Sequence, residues 1–580
     1  MKPFSTGCDQ LEYQMQTKDR QTEHWLFGPI SRQKAKISQL VIASIAINIF
    51  ALISAFYILT VYDRVIPNET TDSLIYLTAG MVAVIIFDFL MKVIRGVLTD
   101  EAGIEVDKEV ADSLFNHLSR NENFIGTKTT GSISTTVKEF DSLKDIMASA
   151  TLVALADLPF ILIFLVVLYL IGGPIAAVPA LIVVFVIVVG LLIQPVIKKM
   201  SASAANDGKS KQSVLIEMIS GLETLKTLKG IPIIKNRWTE SVKNQGEVLL
   251  KSRFWTQFLT NIAQSGQQVS QVGIIVYGVL LIMKADLTMG ALIACVILSG
   301  RTLAPLGQIT NILGRLNQAL VSYKSLNSLF SEISKEKKAN LQLRRDQIES
   351  SYIFKNAELL YPQATKTSLI CESLTIKPGE KVALLGKIGS GKTTLLRSMS
   401  GLISANKGVI KLGGADINHV HPDDLRKNVA ICLQTPLLFS GTLKENILLG
   451  NPDATDEEIM HYSKMTGVDE IANNMPDGFA SLINERGDVL SGGQRQAISI
   501  TRTLITEPNI LLLDEPTSSM DPQTEKFVLK NIKNWMKNKT VVIATHRGQI
   551  LDLVERVIIL DSGKLVADGK KEEILKNISK

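Results

Sequence analysis

Long apolar runs in the first half of the chain constrain its fold more strongly than any other feature. The hydrocarbon core of a bilayer takes roughly 20 apolar residues of helix, and six such runs precede residue 311. The predicted membrane-spanning helices are residues 37–62, 73–94, 148–171, 175–197, 262–283 and 288–310. This half is therefore predicted to be an all-helical membrane domain.

The connections between these spans set the predicted topology. Residues 96–147 and 198–261 are long and polar, whereas the other three connections are short. Lys and Arg favour the cytoplasmic side of a membrane. The basic residues flanking the first and fourth spans are Arg32, Lys34, Lys36, Lys198 and Lys199. We therefore expect both termini and both long connections in the cytoplasm. The long connections are expected to extend the helices, because neither has enough apolar residues for a separate core.

Several charged residues lie inside the predicted spans, where ionisable groups are costly and usually face protein or water. Asp88 and Lys92 are four residues apart and can pair along one helix face. Asp157 is predicted either to pair with Lys92 or Arg95, joining the second and third spans, or to reach the interface alone. Arg301 is predicted to line a polar cavity or to mark an earlier helix end.

A polar stripe also marks the fifth span. Its members are Gln264, Gln267, Gln268 and Gln271. This i, i+3, i+4, i+7 spacing places the four side chains on one helix face. They predict either the wet wall of a translocation path or interhelical hydrogen bonds, with the path favoured because hydrogen bonding needs fewer amides.

Charge and cysteine content narrow the function classes. A net charge of +6 over 580 residues, without a concentrated basic face, disfavours nucleic-acid binding. The four cysteines show no metal-site spacing, which favours a reducing, cytosolic setting. Residues 1–36 are polar, do not resemble a signal peptide, and are assigned to a short cytoplasmic segment. Residues 37–330 are assigned to the membrane domain.

The composition of the chain changes after the last predicted span. Residues 331–350 are highly charged, lack an apolar stripe and are predicted to be a solvated linker. From residue 351, short β-rich runs alternate with helical ones, which predicts an α/β domain over residues 351–580.

The strongest motif lies near the start of this domain. The apolar run at residues 381–385 leads into GKIGSGKT, which fits GxxxxGK[ST] between a strand and a helix. The glycines let backbone N–H groups surround phosphate, Lys392 reaches the β- and γ-phosphates, and Thr393 binds Mg²⁺. The predicted ATP-binding residues here are Gly386, Lys387, Ile388, Gly389, Ser390, Gly391, Lys392, Thr393 and Thr394.

Two further motifs follow. Residues 510–513 form an apolar run ending in Asp514 and Glu515, which predicts a carboxylate for Mg²⁺ and a base that activates water. Between these motifs lies a Gly loop opening a helical stretch, which also suits phosphate binding. Its residues are Ser491, Gly492, Gly493 and Gln494. Two phosphate-reading loops predict a dimer in which each ATP is held by both subunits.

Residues 351–580 resemble the ATP-binding cassette of ABC transporters over their whole length, and LSGGQ is the most specific motif. The resemblance implies that Tyr361 stacks on adenine, Gln434 senses Mg²⁺ and the membrane domain, and His546 contacts the γ-phosphate. Residues 518–521 resemble the D-loop. The implied fold is a six-helix ABC exporter domain fused to an α/β P-loop cassette. The implied Mg²⁺ ligands are Thr393, Gln434 and Asp514, and the implied catalytic residues are Glu515, His546 and Gln434.

Four segments resemble type I secretion ATPases, especially the group exporting large repeat-containing adhesins. These are residues 24–28 (HWLFG), 62–68 (YDRVIPN), 157–160 (DLPF) and 483–487 (INERG). The resemblance implies a homodimer in the bacterial inner membrane, a periplasmic adaptor, an outer-membrane channel and an unfolded polypeptide substrate. Many relatives begin with a papain-like peptidase domain, but only 36 residues precede the first span here. We therefore expect no peptidase activity from Cys8.

Two alternatives remain. A lipid or small-molecule exporter of the same architecture would have a more apolar cavity, and the glutamine stripe argues mildly against it. A non-transporting scaffold or regulator is disfavoured by the intact set Lys392, Asp514, Glu515 and His546.

Overall fold

The computed structural model describes residues 24–120, 157–337, 343–361 and 366–578, together with residues 134, 137, 138, 140, 143 and 364. The described residues up to Ile333 form one compact unit, and those from Ser334 form a second. The first unit is helical and the second is built around a mixed sheet.

Long helices dominate the first unit. They are α1 (Phe27–Arg32), α2 (Lys34–Thr60), α3 (Thr71–Arg120), α4 (Phe160–Gly172), α5 (Ala177–Ser220), α6 (Leu222–Thr227), α7 (Ile231–Met283) and α8 (Met289–Lys337). A π-helical turn, Val61–Val65, extends α2, and a 3₁₀ turn, Gly173–Ala176, joins α4 to α5.

Five helical stretches among the described residues are long and apolar enough to cross a membrane. One of them, Phe160–Ser220, includes both α4 and α5. Gly173 breaks it with φ 55°. Ile161 and Val183, on either side of this break, share one buried cluster, so the chain folds back on itself there. The prediction of a multi-pass membrane protein is confirmed. The start of the predicted third span, residues 148–156, lies outside the described residues.

The long polar connections extend the helices, as predicted, where the structure describes them. Helix α3 continues to Arg120, α5 to Ser220, and α7 begins at Ile231. The short α6 lies between α5 and α7. Helix α8 runs through Arg301 to Lys337, so an earlier helix end at Arg301 is wrong and the predicted linker begins inside this helix.

A polar cluster joins the first three spans. The Arg95 guanidinium lies 3.3 Å from a carboxylate oxygen of Asp157 and donates to Ser44 Oγ at 3.3 Å. Asn48 Nδ2 donates to Asp157 Oδ1 at 3.0 Å. Lys92 instead pairs with Asp88 along α3. Of the predicted partners of Asp157, the structure therefore selects Arg95.

Exchanging the charges of this pair tests its contribution. Asp157→Arg and Arg95→Asp are each expected to lower the stability of the membrane unit by about 1–2 kcal/mol, because each leaves like charges facing. The double exchange is expected to recover at least half of the loss. Thermal unfolding of the full chain in detergent measures this. Exchanging Asp88 and Lys92, which pair within one helix, serves as the control. A double exchange no more stable than the weaker single variant would contradict the pairing.

The described residues of the second unit form a sheet of ten strands. The strands are β1 (Tyr352–Leu359), β2 (Leu369–Ile376), β3 (Lys381–Leu385), β4 (Lys407–Leu412), β5 (Ala415–Asp416), β6 (Val429–Cys432), β9 (Ile510–Asp514), β10 (Thr540–Ala544), β11 (Arg556–Asp561) and β12 (Lys564–Lys570). Their order in the sheet is β5-β4-β1-β2-β12-β11-β3-β10-β9-β6. Strands β7 (Gly441–Thr442) and β8 (Leu482–Ile483) form a separate pair. The helices are α9 (Lys392–Met399), α10 (Pro422–Asn428), α11 (Leu443–Leu448), α12 (Asp456–Thr466), α13 (Val468–Asn473), α14 (Gly492–Leu504), α15 (Pro522–Trp535) and α16 (Lys571–Ile578).

The central strands are buried on both faces. Successive residues of a strand point to opposite faces, and Leu511 and Leu513 pack in one core while Ile510 and Leu512 pack in the other. Strands β11, β3, β10, β9 and β6 run parallel. Because parallel strands end at the same edge, the segments that follow β3, β6, β9 and β10 meet there, where α/β sheets bind ligands.

Candidate nucleotide site

The loop between β3 and α9 has a backbone that requires glycine at its two ends. Gly386 has φ 154°, and a Cβ there would lie 2.2 Å from the Leu560 carbonyl oxygen. Gly391 has φ 103° and precedes the first residue of α9. Side chains at these positions would strain or clash. The loop therefore presents its N–H groups and the N-terminus of α9 as an anion-binding cradle.

Lys392 and Ser390 occupy the inside of this loop. Lys392 is 9% exposed, and its Nζ donates to the carbonyl oxygens of Gly386 at 2.7 Å and Lys387 at 3.1 Å. Ser390 Oγ is buried and has no hydrogen-bond partner in the part of the chain described. The inside of the loop thus holds a buried cation and an unpaired hydroxyl, which suits phosphate binding. Of the other predicted residues, Lys387, Ile388 and Gly389 are exposed and Thr394 is buried.

Asp514 lies at the end of β9, close to this loop. It is 2% exposed, and among the described residues its Oδ2 accepts no hydrogen bond. Burial raises the pKa of this carboxyl group, and hydrogen bonding with Thr393 lowers it. Carboxylate and hydroxyl oxygens suit Mg²⁺. An unpaired buried oxygen beside a hydroxyl therefore fits the metal predicted for Thr393 and Asp514.

Three residues from three strand ends meet beside Asp514. Glu515 Oε2 accepts from Gln434 Nε2 at 3.1 Å, and Glu515 Oε1 lies 3.0 Å from His546 Nδ1. The Glu515 side chain is 15% exposed, whereas that of His546 is 62% exposed. The structure thus brings together the three residues predicted to be catalytic, with an acceptor carboxylate at the centre.

The backbone fixes where Glu515 points. Glu515 has φ 47°, an unusual conformation for a residue with a side chain. Its N–H donates at 2.9 Å to the carbonyl oxygen of Ala544, the last residue of β10. This conformation costs of order 1 kcal/mol or more, and such strain often accompanies a functional position.

The Gly loop predicted to bind phosphate begins α14. The side chain of Ser491 accepts from the Gln494 N–H at 3.2 Å, and Gln494 Oε1 accepts from the Ser491 N–H at 2.8 Å. This reciprocal capping fixes the start of the helix. A Cβ on Gly493 would lie 3.0 Å from the Ser519 carbonyl oxygen, so the loop packs closely against residues 518–521.

Gln496 connects this helix to Glu515 and the residues that follow it. Gln496 was not identified from the sequence. It is 3% exposed. Its Nε2 donates to Ser518 Oγ at 2.8 Å and to the Glu515 carbonyl oxygen at 3.4 Å, and its Oε1 accepts from the Ser519 N–H at 2.9 Å. A buried amide thus ties α14 to the segment that follows Glu515.

An ion pair forms a second connection to the segment after Glu515, and it was not identified from the sequence. Glu525 on α15 is 3% exposed, and its Oε2 accepts from Arg547 Nη1 at 2.7 Å. Its Oε1 accepts from Thr517 Oγ1 at 2.7 Å, and Arg547 Nη2 donates to the Ser518 carbonyl oxygen at 2.7 Å. Because Arg547 follows His546, this ion pair links the His546 loop to residues 517–518.

Tyr361 lies apart from the Glu515 group. Its hydroxyl oxygen accepts from Arg397 Nη1 on α9 at 3.4 Å. The tyrosine hydroxyl therefore lies next to the helix that begins at Lys392.

These features define a P-loop cassette of the kind that binds ATP, carried on the same chain as a set of membrane-spanning helices. A sequence profile described as "ABC transporter" matches residues 372–518, and one described as "ABC transporter transmembrane region" matches residues 38–306. The chain belongs to the ABC transporter family. The predicted family and fold class are confirmed.

Similar proteins agree with this assignment. The exotoxin translocation ATP-binding protein PaxB of Pasteurella aerogenes is 26% identical over 95% of this chain and 78% of its own length. The toxin RTX-I translocation ATP-binding protein of Actinobacillus pleuropneumoniae is 27% identical over the same shares. A solved bacterial Atm1-family ABC exporter with ATP bound has the same fold, with a TM-score of 0.83, 19% identity, and coverage of 94% of this chain and 96% of that chain. The chain is an ATPase that couples hydrolysis to transport.

Proposed function

We propose that the chain is one subunit of a homodimeric exporter that moves an unfolded polypeptide across the bacterial inner membrane in a type I secretion system. The supporting observation is similarity over 95% of the chain to proteins named for toxin translocation. A periplasmic adaptor and an outer-membrane channel would complete the conduit. Both termini would lie in the cytoplasm. We also propose that the domain boundaries fall at residues 36, 330 and 350, between the N-terminal segment, the membrane domain, the linker and the cassette.

We assign nucleotide-binding and Mg²⁺-binding roles to the site residues from their positions in the cassette. The P-loop N–H groups and Lys392 hold the β- and γ-phosphates, and Tyr361 stacks on adenine. Thr393, Gln434 and Asp514 would hold Mg²⁺, which would supply positive charge beside the phosphates. Gln434 fits this role because its amide nitrogen already donates to Glu515, which leaves its carbonyl oxygen for the metal.

Glu515 is the proposed general base. Its carboxylate is held by Gln434 and His546 and accepts a proton from the attacking water. In this proposal His546 orients the Glu515 carboxylate and contacts the γ-phosphate. The loop of Ser491, Gly492, Gly493 and Gln494 binds the nucleotide held by the other subunit. Because α6 lies between two long helical extensions, we assign to residues 221–231, which include it, the transmission of cassette motion to the membrane domain.

A secretion assay tests the substrate class. The chain is expressed with a periplasmic adaptor and an outer-membrane channel of a type I secretion system, together with a reporter fused to the C-terminal segment of a repeat-containing protein. Reporter outside the cell is expected with the unmodified chain and not with Glu515→Gln. The same reporter without the C-terminal segment is the control.

A lipid or small-molecule exporter is the contrasting outcome. Retention of the reporter, combined with ATP-dependent transport of lipid by the purified chain in vesicles, would replace the polypeptide proposal. ATP hydrolysis itself would be unaffected by that result.

A further inference from the structure

The four glutamines of α7 have no hydrogen-bond partners within the described part of the chain. Gln264 and Gln268 are exposed, and Gln267 and Gln271 are partly buried. Gln267 and Gln271 lie beside α8, since a Cβ on Gly300 would be 3.6 Å and 4.0 Å from their Nε2 atoms. The amides approach α8 without bonding to it, so hydrogen bonding between helices of one chain does not explain the stripe.

The stripe lies between two other faces of the same helix. Ala263, Ser270 and Ile274 are buried, while Val269 and Val276 are 63% and 58% exposed. At about 100° per residue, the glutamines occupy an arc of about 100°, centred about 90° from the buried face and about 140° from the exposed valines. The helix therefore separates a packed face, an apolar exposed face and a polar face.

Lipid is a poor neighbour for the polar face. An amide without a hydrogen-bond partner in hydrocarbon costs several kcal/mol, and four in one stripe would multiply that cost. Val269 and Val276 suit lipid, but the glutamines require water or a polar occupant. The polar face must therefore border an aqueous space or another polypeptide.

Arg301 adds a charge at the same level. It is exposed and has no ion-pair partner among the described residues. Arg301 lies 12 residues after the start of α8 at Met289, and Gln271 lies 12 residues before the end of α7 at Met283. The two helices are joined by a short loop, so both positions are about 18 Å from that end.

We propose that this stripe, together with Arg301, binds the backbone of the transported polypeptide, an inference that rests on the proposed function. A glutamine amide donates and accepts, as a peptide group does. The stripe extends about 10 Å along α7, which matches about three residues of extended chain. Recognition of backbone groups is independent of side chains, and Arg301 attracts carboxylates of acidic segments.

Aqueous accessibility is tested first and does not depend on any substrate. Single cysteines replace Gln264, Gln268, Val269 or Val276 in the full chain carrying Cys8→Ser, since Cys295, Cys371 and Cys432 are buried. A charged, membrane-impermeant maleimide is expected to label positions 264 and 268 on the order of tenfold faster than 269 and 276, because a thiol needs water to ionise. Equal rates at all four positions would overturn the proposal.

Photocross-linking then identifies the occupant. A benzophenone-bearing residue replaces Gln268, or Val269 as the matched control, in a chain also carrying Glu515→Gln, and the reporter from the secretion assay is supplied. An adduct between position 268 and the reporter, absent at 269, is expected. An adduct with a second copy of the chain, or with lipid alone, would overturn backbone binding.

Substitutions in the stripe distinguish failure of the backbone-binding proposal from failure of the exporter proposal. Gln264→Leu with Gln268→Leu is expected to lower secretion on the order of tenfold, and Asn at both positions is expected to restore most of it, because Asn keeps the amide. Normal secretion by the leucine variant would reject the stripe and leave the polypeptide exporter intact. Absence of secretion by the unmodified chain would reject the exporter proposal, while the labelling rates would still decide whether the stripe faces water.

Discussion

Replacing Glu515 with Gln is expected to lower ATP turnover by a factor on the order of 10²–10⁴, because the attacking water loses the proposed general base. Nucleotide binding should persist, since the P-loop and Lys392 are unchanged. Phosphate release under saturating ATP measures the first effect. Retention of labelled ATP by the full-length protein measures the second.

Glu507→Gln provides a matched control. Glu507 also has positive φ, at 48°, and lies just before β9, whereas Glu515 follows it. Its carboxylate accepts a hydrogen bond from the Tyr462 hydroxyl. Among the described residues it has no hydrogen bond to the predicted nucleotide-binding residues. Turnover close to that of the unmodified chain is expected. If Glu515→Gln retained comparable turnover, the base would have to be another group.

Removing either partner of the Glu525–Arg547 pair is expected to lower the free energy of unfolding of the cassette by about 2–3 kcal/mol, because a largely buried charge loses its hydrogen bonds. The double alanine variant is expected to lose less than the sum, with a coupling energy of about 1–3 kcal/mol. Chemical denaturation of the full chain, followed by a probe in the cassette, measures all three variants.

The same pair is expected to position His546 and the Ser518 backbone. Arg547→Lys keeps the charge but not the two-pronged geometry that reaches Glu525 and Ser518. We therefore expect kcat to fall more than KM for ATP rises. Arg556→Ala is the control, because Arg556 pairs with Glu380 and Asp568 away from the nucleotide residues. It should lower stability and leave kcat unchanged; equal kcat losses in both variants would indicate a purely structural role.

The membrane half was predictable where the signal is local. An apolar run such as residues 37–62 predicts a span without knowledge of its neighbours. Pairing is different, because Lys92 and Arg95 are one helical turn apart and both could reach Asp157. In the structure Arg95 pairs with Asp157 and also donates to Ser44, while Asn48 on the same helix as Ser44 donates to Asp157. Sequence spacing does not reveal these contacts. Of the two alternatives predicted for Arg301, the earlier helix end was wrong, because an exposed charge need not end a helix.

The nucleotide site divides in the same way. The P-loop, Asp514–Glu515 and the LSGGQ loop are short contiguous motifs whose chemistry depends on local backbone geometry. Gln496 and the Glu525–Arg547 pair carry no such motif. Their importance comes from burial and from partners contributed by separate segments, so only the folded arrangement identifies them.

The contacts of Gln496 have a consequence for the kinetics of a dimer. In the proposed assembly, α14 of each cassette serves the nucleotide of the partner, whereas Glu515 serves its own. Gln496 joins the two within one cassette, because it bonds both Ser518 Oγ and the Glu515 carbonyl oxygen. Occupancy of one site should therefore change the geometry of the other. Hydrolysis should rise with ATP concentration as a sigmoid, and Gln496→Leu should flatten that curve towards a hyperbola.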